Sequence, residues 1–303
     1  MSLLVVGSVA FDSVETPFGK AEEVLGGSAT YFSTAASFFT DVKLVAVVGE
    51  DFPKEHVDFL KSREIDVNGL QKASGKTFRW KGRYDFDLNQ AHTLDTQLNV
   101  FASFKPQIPE GYKDAEYVFL ANIDPVLQLE VLKQVRKPKL VACDTMNFWI
   151  EGKVNELKET LKHVDILTIN EGEARELSKE ANLVKAAKTI LSFGPKTLIV
   201  KRGEYGSLMF SDSGIFAAPA YPLESVFDPT GAGDSFAGGF MGYLSNTGNL
   251  NDGNIRQAII FGSVMASFNV EEFSLNRMKT LNYSEIEQRF NSFKRLTHFE
   301  DLD

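Results

Sequence analysis

The chain has 303 residues, 43% hydrophobic and 24% charged, enough for one large α/β domain or two small ones and ordinary for a soluble globular protein. A formal net charge of −9, with Lys and Arg scattered rather than clustered, excludes nucleic acid and anionic membrane as natural partners. The opening run MSLLVV has no basic leader and is too short for a signal peptide or a membrane span, and one cysteine (Cys143) makes no internal disulfide, so the expected compartment is the cytoplasm.

In chain order, strand-like apolar runs stand at 3–7, 43–49, 117–122, 139–144, 165–170 and 197–203. Helix-period segments lie between most of them, at 53–64, 125–136 and 181–193. The strands are apolar throughout rather than alternating, which suits a parallel sheet covered on both faces. Strand, helix, strand, helix implies right-handed crossovers and a doubly wound, mostly parallel α/β fold. Ligands of such sheets sit at the carboxyl ends of the strands. Here those ends carry Asn122, Asp124, Asp144, Asn170 and Lys201. The last third is helical, at 232–245, 253–268 and 284–295. One stretch breaks the pattern. Residues 76–104 alternate in part and are rich in rings, with Phe78, Trp80, Tyr84 and Phe86 expected on one side. This is either an amphipathic hairpin packed on the body or a lid over a site. The expected organisation is a single domain over 1–303 with a small inserted β lid.

Four motifs lie on this frame. In DPTGAGDSFAGGF (228–240), residues 230–233 form a tight turn before an apolar helix. A helix N-terminus attracts anions through its free amides and dipole, and glycine lets a phosphate approach the backbone. Asp234 then stands beside the phosphate, with a second carboxylate at Asp228; alone, the turn also reads as a glycine-rich cap. In NEGE (170–173), Asn170 and Glu173 would share one helix face, either to place a hydrated Mg²⁺ or as a capping box. KRGEYG (201–206) brings Lys201, Gly203 and Gly206 to a strand end, either against a nucleotide or as a hairpin turn. At the N-terminal side, Asp12 and the pair Gly26-Gly27 line a small-molecule pocket or a turn.

Together these motifs resemble the ribokinase-like (PfkB-type) carbohydrate kinases, across nearly the whole chain from Gly7 to about Phe268. DPTGAGD is similar to that family's C-terminal signature, NEGE to its Asn-x-x-Glu, the glycine pair to its N-terminal pair, and KRGEYG to its nucleotide-side turn. The resemblance implies transfer of the ATP γ-phosphoryl group to a hydroxyl of a small sugar. It makes Asp234 the base and the backbone of Gly231, Ala232 and Gly233 the anion hole. Asn170 and Glu173 would place Mg²⁺ and phosphate, and Asp12, Gly26 and Gly27 would contact the acceptor. Lys201 would lie near the phosphates, Gly203 and Gly206 on the nucleotide side, and Asp228 would hold a K⁺ ion. The lid would comprise about 13–24 and 76–104, and it offers a surface for a homodimer. A helix N-terminus is expected to keep Asp234 ionised, a mild base.

Two departures shift the acceptor. Tyr31 stands where many sugar kinases have an Asn, and the lid is rich in aromatic rings, which stack on bases. A nucleoside kinase of the same fold is therefore the alternative, followed by a non-catalytic nucleotide- or sugar-binding protein. Arg202 also replaces a more usual apolar residue. Other chemistries fit poorly. GDSF (233–236) resembles an esterase motif but comes late in the chain, and His298 follows Arg295 at three residues rather than an Asp. GSVAFD after the first strand lacks the G-x-G-x-x-G dinucleotide fingerprint.

Overall fold

The computed structural model describes residues 2–298. The chain enters through β1 (Ser2–Val6) and makes a hairpin, β2 (Ala10–Thr16) and β3 (Gly19–Gly26), before α1 (Ser28–Ala36). It continues through β4 (Asp41–Val48), α2 (Lys54–Ser62) and β5 (Asp66–Lys72) to a second hairpin, β6 (Phe78–Tyr84) and β7 (Ala91–Gln97). Then come β8 (Tyr117–Leu120), α3 (Pro125–Leu132), β9 (Leu140–Asp144), α4 (Asn147–Gly152), α5 (Val154–Leu161), β10 (Ile166–Asn170), α6 (Glu171–Ser178), α7 (Leu183–Leu191) and β11 (Thr197–Lys201). A hairpin, β12 (Ser207–Ser211) and β13 (Gly214–Ala218), precedes the closing helices α8 (Ala232–Thr247), α9 (Asp252–Asn269), α10 (Asn276–Thr280) and α11 (Tyr283–Thr297).

Nine strands form the large sheet in the order β13-β12-β11-β10-β9-β8-β1-β4-β5. It is parallel from β11 through β5, and the β12–β13 edge is antiparallel. The order reverses direction at β1, so the two halves of the crevice meet at its carboxyl end. Alternate residues of each strand face opposite sides. Leu3, Val5 and Phe119 pack with α1, α8 and α9, while Leu4, Val6 and Leu120 pack with α3, α5 and α7. The continuous apolar strands of the sequence are thus buried on both faces. Phe32 of α1 stacks on Phe119 of β8, with centroids 4.2 Å apart. Truncating a ring so placed costs about 3–5 kcal/mol. Helix α8 approaches α1 closely because Gly238 faces it: a Cβ there would stand 2.3 Å from the Phe32 carbonyl oxygen. That contact fixes the start of α8 relative to α1, and with it the distance between Asp234 and Tyr31.

The small sheet has the order β3-β2-β6-β7, antiparallel within each hairpin and parallel where β2 meets β6. The first hairpin begins at Ala10, three residues before the expected segment, because β2 follows β1 after a short turn and carries Asp12 within it. Residues 99–103 form a 3-10 turn rather than a strand, and Phe101 in it stacks on Phe78 with centroids 5.2 Å apart. Phe78, Trp80 and Tyr84 share one face of β6. Phe86 lies beyond the strand, 81% exposed, against the equally outlying Phe18. Among the described residues no helix is long and apolar enough to cross a membrane.

Candidate active site

The turn at 228–231 is built by buried polar groups. Asp228 is buried, and its two carboxylate oxygens accept the amides of Thr230 (2.9 Å) and Ser274 (3.2 Å). The Thr230 carbonyl accepts from the side-chain amide of Asn269 at 2.8 Å, and the Asn269 oxygen accepts from the Ser235 hydroxyl at 3.0 Å. Gly231 then turns the chain at φ 75°, and its missing side chain leaves room for the Tyr31 ring, 2.3 Å from where a Cβ would be. Helix α8 begins inside the expected turn, at Ala232. Ala232 donates its amide to Pro229, so the amides of Gly233 and Asp234 are the first-turn donors left at the helix end.

Asp234 lies in this first turn, partly buried. Its carboxyl is raised to about 7, chiefly by burial and then by the negative Asp144, with Lys201 opposing both. The expectation of a carboxylate kept low by the helix dipole is corrected here: removal from water outweighs the dipole. Lys201 ends β11 and reaches across Gly233, where a Cβ would meet its Nζ at 2.9 Å. Its ammonium pairs with Asp144 at 2.9 Å, and both side chains are largely buried. Burial tends to lower Lys201, but Asp144, Glu173 and Asp234 together hold it above its ordinary value.

On the acceptor side, Asp12 packs against Gly26: a Cβ on that glycine would stand 1.9 Å from the carboxylate. The Gly27 amide donates to Asp12 at 3.4 Å. The Ser8 hydroxyl accepts the Ser28 amide at 3.0 Å and so caps α1, where Gly27 offers no side chain. Asp12 is raised to about 7 by burial and then, against the Gly27 amide, by Asp228 and Asp234. Asp12, Asp234 and the turn therefore face one small volume. Tyr31 and Tyr84 border it, each pushed up chiefly by burial and then by these carboxylates. The Tyr31 hydroxyl is buried and faces Asp12, whose charged form it favours, and the Thr230 hydroxyl donates to the Tyr84 hydroxyl at 3.3 Å. Trp80 lies along its own strand over Gly82 and donates to Thr93 at 3.2 Å.

At NEGE the capping box is present: Asn170 accepts the Glu173 amide at 2.8 Å, and Glu173 accepts the Asn170 amide at 2.9 Å. Burial and then the negative Asp144 raise the Glu173 carboxyl to about 7. At KRGEYG the hairpin turn is present too, joining β11 to β12 through Gly203 and Gly206. Arg202 finds its reason here: it pairs with Glu171 at 2.7 Å and ties this turn to the start of α6. Asn89, at the tip of the β6–β7 hairpin, stands 2.7 Å from where a Gly203 Cβ would be. The hairpin thus spans the cleft from Thr230 to Gly203. Asp144 and Asn269 had no assigned role in the sequence, and Tyr84 was expected only as one of the lid rings. Asp144 had one signal, a carboxylate at a strand end. Asn269 had none, since its partner Thr230 is 39 residues away.

Comparison with known proteins agrees with this arrangement. Residues 3–280 match the pfkB family carbohydrate kinases. A cytidine kinase of Thermococcus kodakarensis is 33% identical over 250 residues, covering 80% of this chain and 87% of that protein. The nucleoside kinase of Methanocaldococcus jannaschii superposes with a TM-score of 0.77 at 22% identity, over 96% of this chain and 98% of that one. An E. coli protein described as a ribokinase II, solved with ATP and Mg²⁺, gives 0.78 at 17% identity over 96% and 99%. The family match over residues 3–280 covers nearly the whole chain: it belongs to the PfkB family of carbohydrate kinases, phosphotransferases acting on alcohol groups.

Proposed function

We propose that this kinase transfers the γ-phosphoryl group of Mg·ATP to a hydroxyl of a nucleoside, with Asp234 as the base. The observation that carries the reading is the juxtaposition at the start of α8: a carboxyl raised to about 7 beside first-turn amides, with the Lys201 ammonium across Gly233. Asp234 accepts the hydroxyl proton, and Lys201 and the amides left at the start of α8, those of Gly233 and Asp234, receive charge on the moving phosphoryl group; of the expected Gly231-Ala232-Gly233 anion hole, the Ala232 amide is engaged by the Pro229 carbonyl. Positioning and charge neutralisation supply most of the rate in such transfers. Asp12, Gly26 and Gly27 hold the acceptor, and Lys201, Gly203, Gly206 and Asn170 face the nucleotide. The small sheet acts as the lid, its tip already against Gly203. The rings of Tyr31 and Tyr84 beside Asp12, and the cytidine kinase relative, favour a base-bearing acceptor over a plain sugar.

Kinases of this family use ATP and Mg²⁺. Among the described residues no three of His, Cys, Asp and Glu converge as a metal cage. That suits an ion carried in on phosphate oxygens, with the partly buried Glu173 as its protein-side carboxylate. Mg²⁺ there neutralises phosphate charge. A K⁺ ion at Asp228 fits less well: both of its oxygens hold backbone amides, the Phe227 carbonyl accepts from Thr16 and the Thr230 carbonyl from Asn269. Asp228 works as a staple of the turn. We place the enzyme in the cytoplasm, and a homodimer through the lid would close on Phe18 and Phe86, the rings left outside it; sedimentation of the Phe86→Ser variant checks that contact.

The test is ADP release from Mg·ATP over a panel of nucleosides and free sugars. Turnover with cytidine or another nucleoside, and little with ribose, supports the reading. Turnover with sugars alone would make the rings mere cover, and silence over the panel would leave a nucleotide-binding protein without transfer.

A further inference from the structure

Lys201 sits among three carboxylates. Its Nζ is 2.9 Å from Asp144, and the charges of Glu173 and Asp234 also act on it. Asp144 is held rigidly: one carboxylate oxygen accepts the Thr145 amide at 2.8 Å, and its backbone carbonyl accepts from Gln128 at 3.0 Å. Gln128 is buried, and the same nitrogen also bonds the Ala121 carbonyl at 3.0 Å, so it clamps the ends of β8 and β9 together. Lys201 is a flexible four-carbon stem with its charge at the end. The fixed partner is the carboxylate, and the movable one is the ammonium.

We propose that Asp144 is a positioning residue, which parks the Lys201 ammonium over Gly233 and away from the Asp234 carboxylate until a phosphoryl group arrives to take it over. This rests on the phosphoryl-transfer reading above. The ammonium stands against the backbone that the terminal phosphate must approach, so an arriving anion meets it at once. As the phosphoryl group draws the ammonium across, Asp144 keeps its Thr145 amide bond and stays in place. Without the Asp144 charge, the carboxylates left to Lys201 are those of Glu173 and Asp234. An ammonium settled on Asp234 would tie up the base and leave the phosphate unattended.

The test is a double-mutant cycle on the full-length enzyme, with Asp144→Asn and Lys201→Met singly and together, following kcat and each KM. Lys201→Met should lower kcat roughly 10²–10³-fold, the usual worth of one group aimed at transition-state charge. Asp144→Asn should lower kcat about tenfold with both KM values within about twofold, and should lower it no further in the Lys201→Met background. An equal loss in both backgrounds, or a change confined to KM with kcat intact, would overturn the proposal, because a merely structural Asp144 acts whether or not the lysine is present. Thermal melts of all four proteins confirm that they are folded. If the wild-type protein transfers phosphoryl to no acceptor, the functional reading fails by itself. Calorimetry with ADP and a non-hydrolysable ATP analogue then tests the takeover of Lys201 by the terminal phosphate, without which Asp144 has nothing to park. Lys201→Met should weaken the triphosphate at least about fivefold more than the diphosphate, the worth of a charge-assisted contact to the terminal phosphate, and an equal loss for both overturns it.

Discussion

Asp234→Asn should exchange activity for stability. The carboxyl lies in the ordinary range in the unfolded chain and at about 7 in the folded one. Between those two values the folded protein binds more protons than the unfolded one, so stability falls as pH rises through that window and is lowest above about pH 7. The displacement is about 3 pH units, and at about 1.4 kcal/mol per unit it sets a ceiling of about 4 kcal/mol. Water reaching the cleft around a partly exposed carboxyl reduces this to roughly 1–3 kcal/mol. An amide of the same shape carries no charge at any pH. The variant should therefore melt roughly 2–6 °C above the wild type at pH 8 and alongside it near pH 4. Its kcat should fall roughly 10²–10⁴-fold, the range of a positioned general base. Differential scanning fluorimetry across pH 4–9 and a coupled ADP assay measure both. Equal melting temperatures at pH 8 would show that the carboxyl carries no burial strain, and activity within tenfold of wild type would place the base elsewhere.

The wild-type enzyme should gain kcat/KM with rising pH, about tenfold per unit below about 7 and then level off, because the base must lose its proton; a flat profile from pH 5 to 8 would contradict the raised Asp234. Gly231→Ala should lower the melting temperature and abolish turnover, since the residue sits at φ 75° with the Tyr31 ring at 2.3 Å from the new Cβ; a folded, active variant would mean the turn is not as described. Asn269→Ala leaves the Thr230 carbonyl and Ser235 hydroxyl unpaired in a buried place and should cost about 1–3 kcal/mol, read by denaturant titration. Replacing K⁺ by Na⁺ or choline in the assay should change kcat by less than about twofold if Asp228 serves only to hold the Thr230 and Ser274 amides; strict K⁺ dependence would show that its remaining lone pairs also serve a cation.

What could be read from the sequence and what could not divide along a physical line. The apolar runs of β1, β4, β8, β9, β10 and β11 announced themselves because a strand buried on both faces has no polar alternative. DPTGAGD was legible because a sharp turn and a close approach admit few residues, and Gly231 meets both demands. The edge strands were quieter: β5 mixes polar residues into a partly exposed run, and β13 is five residues long and mostly exposed. Asp234 shows the harder limit. Its place beside a helix start was visible, but its affinity for a proton was not, because that depends on Asp144, 90 residues earlier, on Lys201, and on burial that exists only in the folded chain. The same holds for Asp144 and Lys201: each is an ordinary charge at a strand end, 57 residues from the other. In a parallel sheet, strand ends far apart in sequence arrive at one rim. Two strands that flank β10, β9 and β11, turn two unremarkable charges into one buried pair beside Gly233. A motif describes what one local turn must be. A site of this kind is a sum over several strand ends, and only the strand order says which of them add up.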